Sequence, residues 1–224
     1  MFYDKDMHFF SKLWKTFLDF IFPKSLETLV LESLSIREIV ELLPKAETTK
    51  DDKALALFDY NHRLTKEMIW ELKYKGNKVI SDKFGEILYN FIKENLPDWH
   101  DWQSQRPIII PIPISDKRRI ERGWNQTEIL LESIRKSDTN NNFKYLPRQL
   151  VKVVHTESQT RTTGKKERTT NIQNTMMILN PHTVSDRCII VIDDVTTTGS
   201  TFAEAKRALK EAGVKKVLCI ALAH

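Results

Sequence analysis

Ile189-Ile190-Val191-Ile192-Asp193-Asp194-Val195-Thr196-Thr197-Thr198-Gly199-Ser200-Thr201-Phe202 is the stretch that decides how the rest of the chain is read. An apolar run gives way to two acids, then to a hydroxyl-rich turn around one glycine, then to a helix. That helix is marked by Phe202, Ala205, Leu209 and Ala212 and is terminated by Gly213. A strand that is apolar on both faces belongs in a parallel sheet covered by helices. Ligands of such open sheets bind beyond the carboxyl ends of the strands, where Asp193 and Asp194 lie. The free amides and the positive dipole end of the following helix suit a phosphate. Thr197, Thr198 and Thr201 can add hydroxyl hydrogen bonds, and Gly199 lets the backbone approach closely. Carboxylates would repel a phosphate they touched but suit hydroxyls. The ligand that satisfies both halves is a sugar phosphate, with the acids on a ribose diol and the turn on the phosphate.

Reading outward, Ile108-Ile109-Ile110, Leu150–Val154 and Val217–Leu222 are further apolar strands, and Ile129, Leu130 and Ile134 fall on a helix. The alternation predicts an α/β fold with a parallel sheet, and it buries Cys188 and Cys219 in strands as small core residues. Upstream, Leu64, Met68, Ile69 and Leu72 give a helix ending near Gly76. Ser81 is placed as the cap of the next helix, whose face is Phe84, Ile87, Leu88, Phe91 and Ile92. Residues 24–50 read as one or two short helices, with a capping box at Ser35 and Glu38 and a Leu34–Ile39 staple. Phe10, Leu13, Trp14, Phe17, Leu18 and Ile21 define an aromatic helix. Its polar face carries few positive charges, which favours docking on the protein or a partner over a membrane surface. Thr48–Lys53 is a polar linker. The chain thus divides into a helical N-terminal region, residues 1–50, and a main α/β domain, residues 55–224. Within the latter, Glu157–Asn174 is a polar, basic, Thr-rich interruption, and long loops of that kind are functional or disordered.

Composition narrows the field. With 41% hydrophobic and 29% charged residues, the 224-residue chain is too apolar to be disordered, and 6 Gly and 8 Pro exclude collagen-like sequence. The net charge of +5 is compatible with phosphate-rich partners without requiring them. Two isolated cysteines offer no zinc site or disulfide framework and fit a reducing cytoplasm. No apolar run is long enough to span a membrane, and the first residues lack a signal-peptide pattern. P-loop NTPases also place acids after an apolar strand, but no GxxxxGK[ST] loop is present. A receiver domain would carry its acids near the start of the fold. A plain turn, with acids capping the helix, leaves the length and order of the motif without a reason.

Residues 189–201 resemble the phosphoribosyl-pyrophosphate signature of type I phosphoribosyltransferases. Ile110–Ile114, Arg118-Arg119 and Glu121-Arg122-Gly123-Trp124-Asn125-Gln126 resemble the PVP…RRxxERGFNQ element of the ComF-like branch, named for competence protein F. Ser158-Gln159-Thr160 and Glu167–Asn171 resemble its QT…ER..N loop. Leu57–Tyr60 and Leu72–Gly76 resemble its LF.Y and lKY.G elements, so the likeness runs in order over roughly residues 55–224. It implies that Asp193 and Asp194 bind the ribose 2′- and 3′-hydroxyls and that Thr197, Thr198, Gly199, Ser200 and Thr201 hold the 5′-phosphate. It implies a pyrophosphate loop at Ser115–Gly123, with Ser115, Lys117, Arg118, Arg119 and Arg122. Mg²⁺ would be held by the diphosphate and ribose oxygens, with no direct protein ligand. Glu157–Asn174 would be the flexible loop, presenting Arg161, Lys165, Lys166 and Arg168 to the leaving pyrophosphate, with Arg168 of the ER..N element as the candidate catalytic residue. His155 borders that loop without a role as general base.

The family's Cys-rich zinc ribbon is missing: Ser25 stands where a cysteine is expected, and none precedes Cys188. The resemblance implies a cytoplasmic, Mg²⁺-dependent phosphoribosyltransferase acting on phosphoribosyl pyrophosphate and an unidentified nitrogen nucleophile, and it is compatible with a homodimer. It also implies a role in single-stranded DNA uptake during natural competence, alongside other competence proteins. The alternatives are a non-catalytic nucleic-acid-binding module and a nucleobase salvage enzyme. Aromatics suited to base stacking are expected only in the N-terminal helix and at Trp99, Trp102 and Trp124.

Overall fold

In the computed structural model, which describes residues 24–47, 54–96, 105–153 and 175–224, the decisive strand β6 (Cys188–Val195) lies at the centre of a five-stranded parallel sheet. One flank is β7 (Lys216–Ala223) and then β1 (Leu55–Phe58); the other is β2 (Ile108–Pro111) and then β3 (Lys144–Tyr145). β6 pairs Cys188 through Val195 with Lys216 through Ala223, and its Ile189–Ile192 with Ile108–Pro111. The aromatic N-terminal helix, the 48–53 linker, Trp99, Trp102, His155 and Glu157–Asn174 with Arg168 lie outside the described residues.

Helices cover both faces of the sheet, and the alternation along β6 assigns each residue its side. Ile190 and Ile192 pack in one core with Leu31, Ile39, Met68, Leu72, Phe84, Leu88, Leu130 and Ile134. Ile189 and Val191 pack in another with Phe202, Ala205 and Leu209. The first core is built by α1 (Leu26–Ser33), α2 (Ile36–Leu42), α3 (Arg63–Trp70), α4 (Lys78–Asn95) and α6 (Gln126–Ser137). The short α5 (Asp116–Arg122) buries nothing, and α7 (Ser200–Glu211) covers the second core. The alternation continues past Ile192, so Asp193 projects toward α7 and Asp194 toward α3.

Local signals explain most boundaries. The capping box at Ser35 and Glu38 forms in full at α2. The Lys83 ammonium donates to the carbonyls of Leu31, Glu32 and Leu34, closing the carboxyl end of α1. The predicted helix ending near Gly76 is α3, and its last turn widens to a π-turn at Glu71–Lys75.

Three features differ from expectation. The cap of α4 is Asn77, whose Oδ1 accepts from the amides of Val79 and Ile80; Ser81 lies inside the first turn and donates to Lys78 O. The predicted strand at Leu150–Val154 leaves the parallel sheet. As β4 (Leu150–Lys152) it pairs antiparallel with β5 (Met176–Ile178). Only Leu150 of its three residues is buried, so it cannot sit between two helical layers. β1 and β3 escaped sequence reading because edge strands of four and two residues carry too little periodicity.

Candidate functional site

The carboxyl end of β6 places Asp193 and Asp194 side by side, 8% and 4% exposed. Asp193 Oδ1 accepts from the Asp194 amide and Asp194 Oδ1 from the Val195 amide, each at 2.8 Å. These bonds turn the strand end and fix both side chains. The other oxygen of Asp194, Oδ2, is buried without a hydrogen-bond partner, although the Lys73 ammonium stands 3.1 Å away. An unmet buried acceptor of this kind calls for a donor. Burial, reinforced by the Asp194 carboxylate, pushes Asp193 well above the usual carboxylate range, and Lys73 opposes the rise.

Asp194 pairs with one lysine, and Asp193 acts on a second through its field. Lys73 comes from the π-turn. Lys152, half-buried on β4, lies in the field of Asp193 and Arg118. Burial first, then Arg118, lowers the Lys152 ammonium from its ordinary value, and Asp193 opposes this. Neither lysine was singled out from the sequence. Lys73 stands in the lKY.G element, whereas Lys152 had no signal beyond following Leu150-Val151.

The threonine turn follows directly. Thr196 donates its amide to Ala223 O at 2.9 Å, which ties the turn to β7. Thr197 and Thr198 are exposed, Gly199, Ser200 and Thr201 half-buried. Thr198 Oγ1 donates to Ser200 Oγ at 3.0 Å, and Gly199 adopts φ +69°. Gly199 brings no side-chain cap to α7, and the Ser200 amide donates to Thr198 Oγ1 at 3.4 Å.

Ser115–Gly123 is wound into α5 rather than left as an open loop, with Ser115 Oγ accepting from Arg118 N at 3.4 Å. Of its predicted cations, Arg119 is engaged by Glu128 at 2.5 Å. Arg122 donates to Gln126 and lies over the Tyr74 ring, and Lys117 is 4.0 Å from Glu121. Arg118 forms no ion pair among the described residues and shares its field with Lys152.

The remaining motif residues hold the frame. Asn125 and Thr127 both donate to Ile112 O, pinning the end of β2. Trp124 Nε1 donates to Leu72 O at 3.1 Å, and its ring lies against Gly76, so two distant elements meet. A cavity of about 1240 Å³ opens beside Lys73, lined also by Ser25, Glu32, Tyr60, Trp70 and Tyr74. Ser25 accepts from Thr28 N as the cap of α1 and donates to Glu67. Among the described residues no cluster of three or more His, Cys, Asp or Glu is placed to hold a metal ion.

A parallel α/β sheet with two acids ending a central strand, followed by an uncapped helix start, defines the type I phosphoribosyltransferase fold with a small helical N-terminal region. The family description Phosphoribosyl transferase domain matches residues 140–224. The chain belongs to the ComF-like family. Competence protein ComFC of Streptococcus pneumoniae is 27% identical over 75% of this chain and 66% of its own. Competence protein F of Haemophilus influenzae is 30% identical over 70% of this chain and 66% of its own. Competence protein ComFC of Bacillus subtilis is 27% identical over 70% and 58%. The matched region is thus just under two thirds of the first two relatives and less of the third. Among solved structures, the allosteric regulatory enzyme of purine biosynthesis aligns over 68% of this chain and 30% of its own, at 12% identity and a TM-score of 0.43.

Proposed function

We propose that this chain binds phosphoribosyl pyrophosphate at the carboxyl end of the sheet and acts as a phosphoribosyltransferase. The observation that supports the reading is the buried Oδ2 of Asp194, left without a hydrogen-bond partner, beside a helix start to which Gly199 brings no side-chain cap. The ribose diol would donate to the acid pair, and the 5′-phosphate would accept from the amides and hydroxyls of residues 197–201. Arg118, and Arg168 from outside the described residues, would face the diphosphate, for which guanidinium forks are well shaped. A nitrogen nucleophile would form a bond to ribose C1 as the C1–O bond to pyrophosphate breaks, the electron pair leaving with pyrophosphate. The chain's part is to orient the sugar and offset charge on the leaving group.

Magnesium fits this site as a companion of the ligand. Its hard-oxygen donors would come from the diphosphate and ribose, and its charge would offset that of the leaving group. With Mg²⁺ present, phosphoribosyl pyrophosphate should raise the melting temperature, as a ligand of the folded state must. The Asp193→Ala/Asp194→Ala variant should lose that shift. Absence of the shift in the wild type would reject the reading. A screen of purines, pyrimidines and amines for pyrophosphate release then tests catalysis and separates a salvage enzyme from other acceptors.

A second reading draws on the relatives' names and on one observation. Trp70 and Tyr74 are 43% and 53% exposed, 5.8 Å apart, with Lys75 over the first ring and Arg122 over the second. Sequence reasoning did not find this pair. Aromatic faces bracketed by cations suit single-stranded nucleic acid. The chain would then serve DNA uptake in competence, in the cytoplasm. Among the described residues no helix is long and apolar enough to cross a membrane. Affinity for single strands should fall with salt and drop further in Trp70→Ala/Tyr74→Ala; binding indifferent to both counts against this role.

A further inference from the structure

Lys73 is set in place with unusual care for a partly exposed lysine. It sits in the π-turn Glu71–Lys75, and such turns recur at functional sites. Its neighbours are tied down on both sides. Leu72 O accepts from Trp124, Gly76 lies under the same indole, and the buried Glu71 carboxylate accepts from Thr28 and Asn77. The side chain, 22% exposed, reaches from the cavity wall to Asp194 Oδ2 at 3.1 Å, but outside hydrogen-bonding geometry. The ammonium thus supplies charge to the acid pair while leaving that oxygen's hydrogen-bonding capacity unused.

We propose that Lys73 is a positioning residue for the acid pair: it holds Asp194 at the end of β6 with Oδ2 free of any hydrogen bond, and it stays beside the carboxylate as that oxygen turns to accept from a ribose hydroxyl. The inference rests on the phosphoribosyl pyrophosphate reading above and assigns the residue that makes the pair usable. Two adjacent carboxylates at the end of a buried strand repel one another and any phosphorylated ligand, so a cation that leaves an oxygen open serves both problems. Among the described residues, the charged or titratable groups beside the pair are Lys73 from the π-turn, Lys152 from β4 and the Cys219 thiol from β7, with Arg118 of α5 beyond Lys152. His224, at the end of β7, sits against Thr197 O. Lys73 opposes the upward push on Asp193, so its removal should make the pair keep its proton to higher pH. An ionised carboxylate accepts from a hydroxyl more strongly than a protonated one, so the pH midpoint of ligand affinity should move up with it.

The test is calorimetric titration of the full chain with phosphoribosyl pyrophosphate and Mg²⁺ across pH, for wild type, Lys73→Met, Lys73→Gln and Lys73→Arg. Circular dichroism and melting without ligand confirm folding, and the Gln and Arg variants carry the test should the Met variant fail to fold. Lys73→Met should weaken binding by about tenfold or more and raise the pH midpoint, and Lys73→Arg should recover most of the loss. In an Asp194→Asn background, Lys73→Met should add less than about twofold, because residues acting through one another are not additive. A wild type that ignores the ligand removes the underlying reading and this role with it. A wild type that binds, with Lys73→Met binding equally, or with losses that are pH-independent and add fully to Asp194→Asn, overturns the role of Lys73 alone.

Discussion

Two helices start beyond the carboxyl ends of the neighbouring strands β2 and β6, and they are held in opposite ways. α7 runs for 12 residues and is anchored by Phe202, Ala205 and Leu209, none of which has any exposed surface. Its cap residue, Gly199, has no side chain, and only the Ser200 amide meets a hydroxyl, that of Thr198. α5 runs for seven residues and buries none; Ile120 on it is 84% exposed. Its start is closed by Ser115, and Arg119 and Arg122 are already engaged. Burial therefore fixes where the threonine turn stands, and the phosphate proposed for it would meet a helix already anchored. α5 keeps its place by local bonds, some of which a diphosphate would have to exchange. The first region is preformed, and the second is adjustable.

The contrast is broken most directly by removing one side chain from each helix. Phe202→Ala should destabilise the protein by about 3–5 kcal/mol, the usual range for deleting a buried aromatic. Ile120→Ala should stay within about 0.5 kcal/mol, as surface changes do. Urea unfolding of both variants measures this. A loss above about 1 kcal/mol for Ile120→Ala would mean that α5 is packed by something, and the two helices would no longer differ in kind.

The acid pair belongs to the buried half, and its titration gives a second test. Asp193 is pushed up in the folded state, first by burial and then by Asp194. A carboxyl raised on folding holds its proton more tightly when folded, so its contribution is complete below the unfolded value and is lost as pH rises through the folded one. Asp193→Asn removes that loss. Its melting temperature should exceed that of the wild type at pH 8, and the gap should narrow toward pH 4. A gap that widens on acidification would show the Asp193 carboxylate to be stabilised by its surroundings.

The same division decides what the sequence revealed. The β6 stretch was legible because apolar burial, the acids, the glycine and the helix face are all local in the chain. The capping box of α2 was legible for the same reason. The partners of the α5 arginines were not, since Glu128 and the Tyr74 ring are brought to Arg119 and Arg122 by folding. Lys73 and Lys152 were missed on equal grounds: each matters only because the sheet sends successive residues of β6 to opposite faces. Leu150–Val154 was read as a strand of the parallel sheet because a short apolar run cannot announce whether its partner is parallel or antiparallel.

Ligand affinity sharpens the adjustable half of the comparison. Arg118 lacks an ion pair among the described residues, whereas Arg119 would have to leave Glu128 to meet a diphosphate. Arg118→Ala should weaken phosphoribosyl pyrophosphate binding by about tenfold, as loss of a charge-assisted contact does. Arg119→Ala should cost less than about threefold, because breaking its pair offsets what the new contact adds. Titration with Mg²⁺ compares them. Equal losses would show that the Arg119–Glu128 pair opens on binding and that α5 contributes both forks.

The smallest expected effect is also the cleanest comparison, because the two positions share one local strain. Gly199 begins α7 at φ +69° and Gly123 ends α5 at φ +80°. An added Cβ would meet nothing within 4 Å at either site, so alanine adds no clash and only the left-handed backbone is penalised. Each Gly→Ala change should cost about 1 kcal/mol of stability. If the two helix starts divide as described, only Gly199→Ala should also weaken binding of inorganic phosphate and of phosphoribosyl pyrophosphate, because only there does the strained residue lead into the first turn of a helix. Gly123→Ala should leave inorganic phosphate affinity unchanged, since the amides at the carboxyl end of α5 are spent within the helix. Equal losses of phosphate affinity would make the two turns a single coupled site, and the contrast between a preformed and an adjustable half would have to be given up.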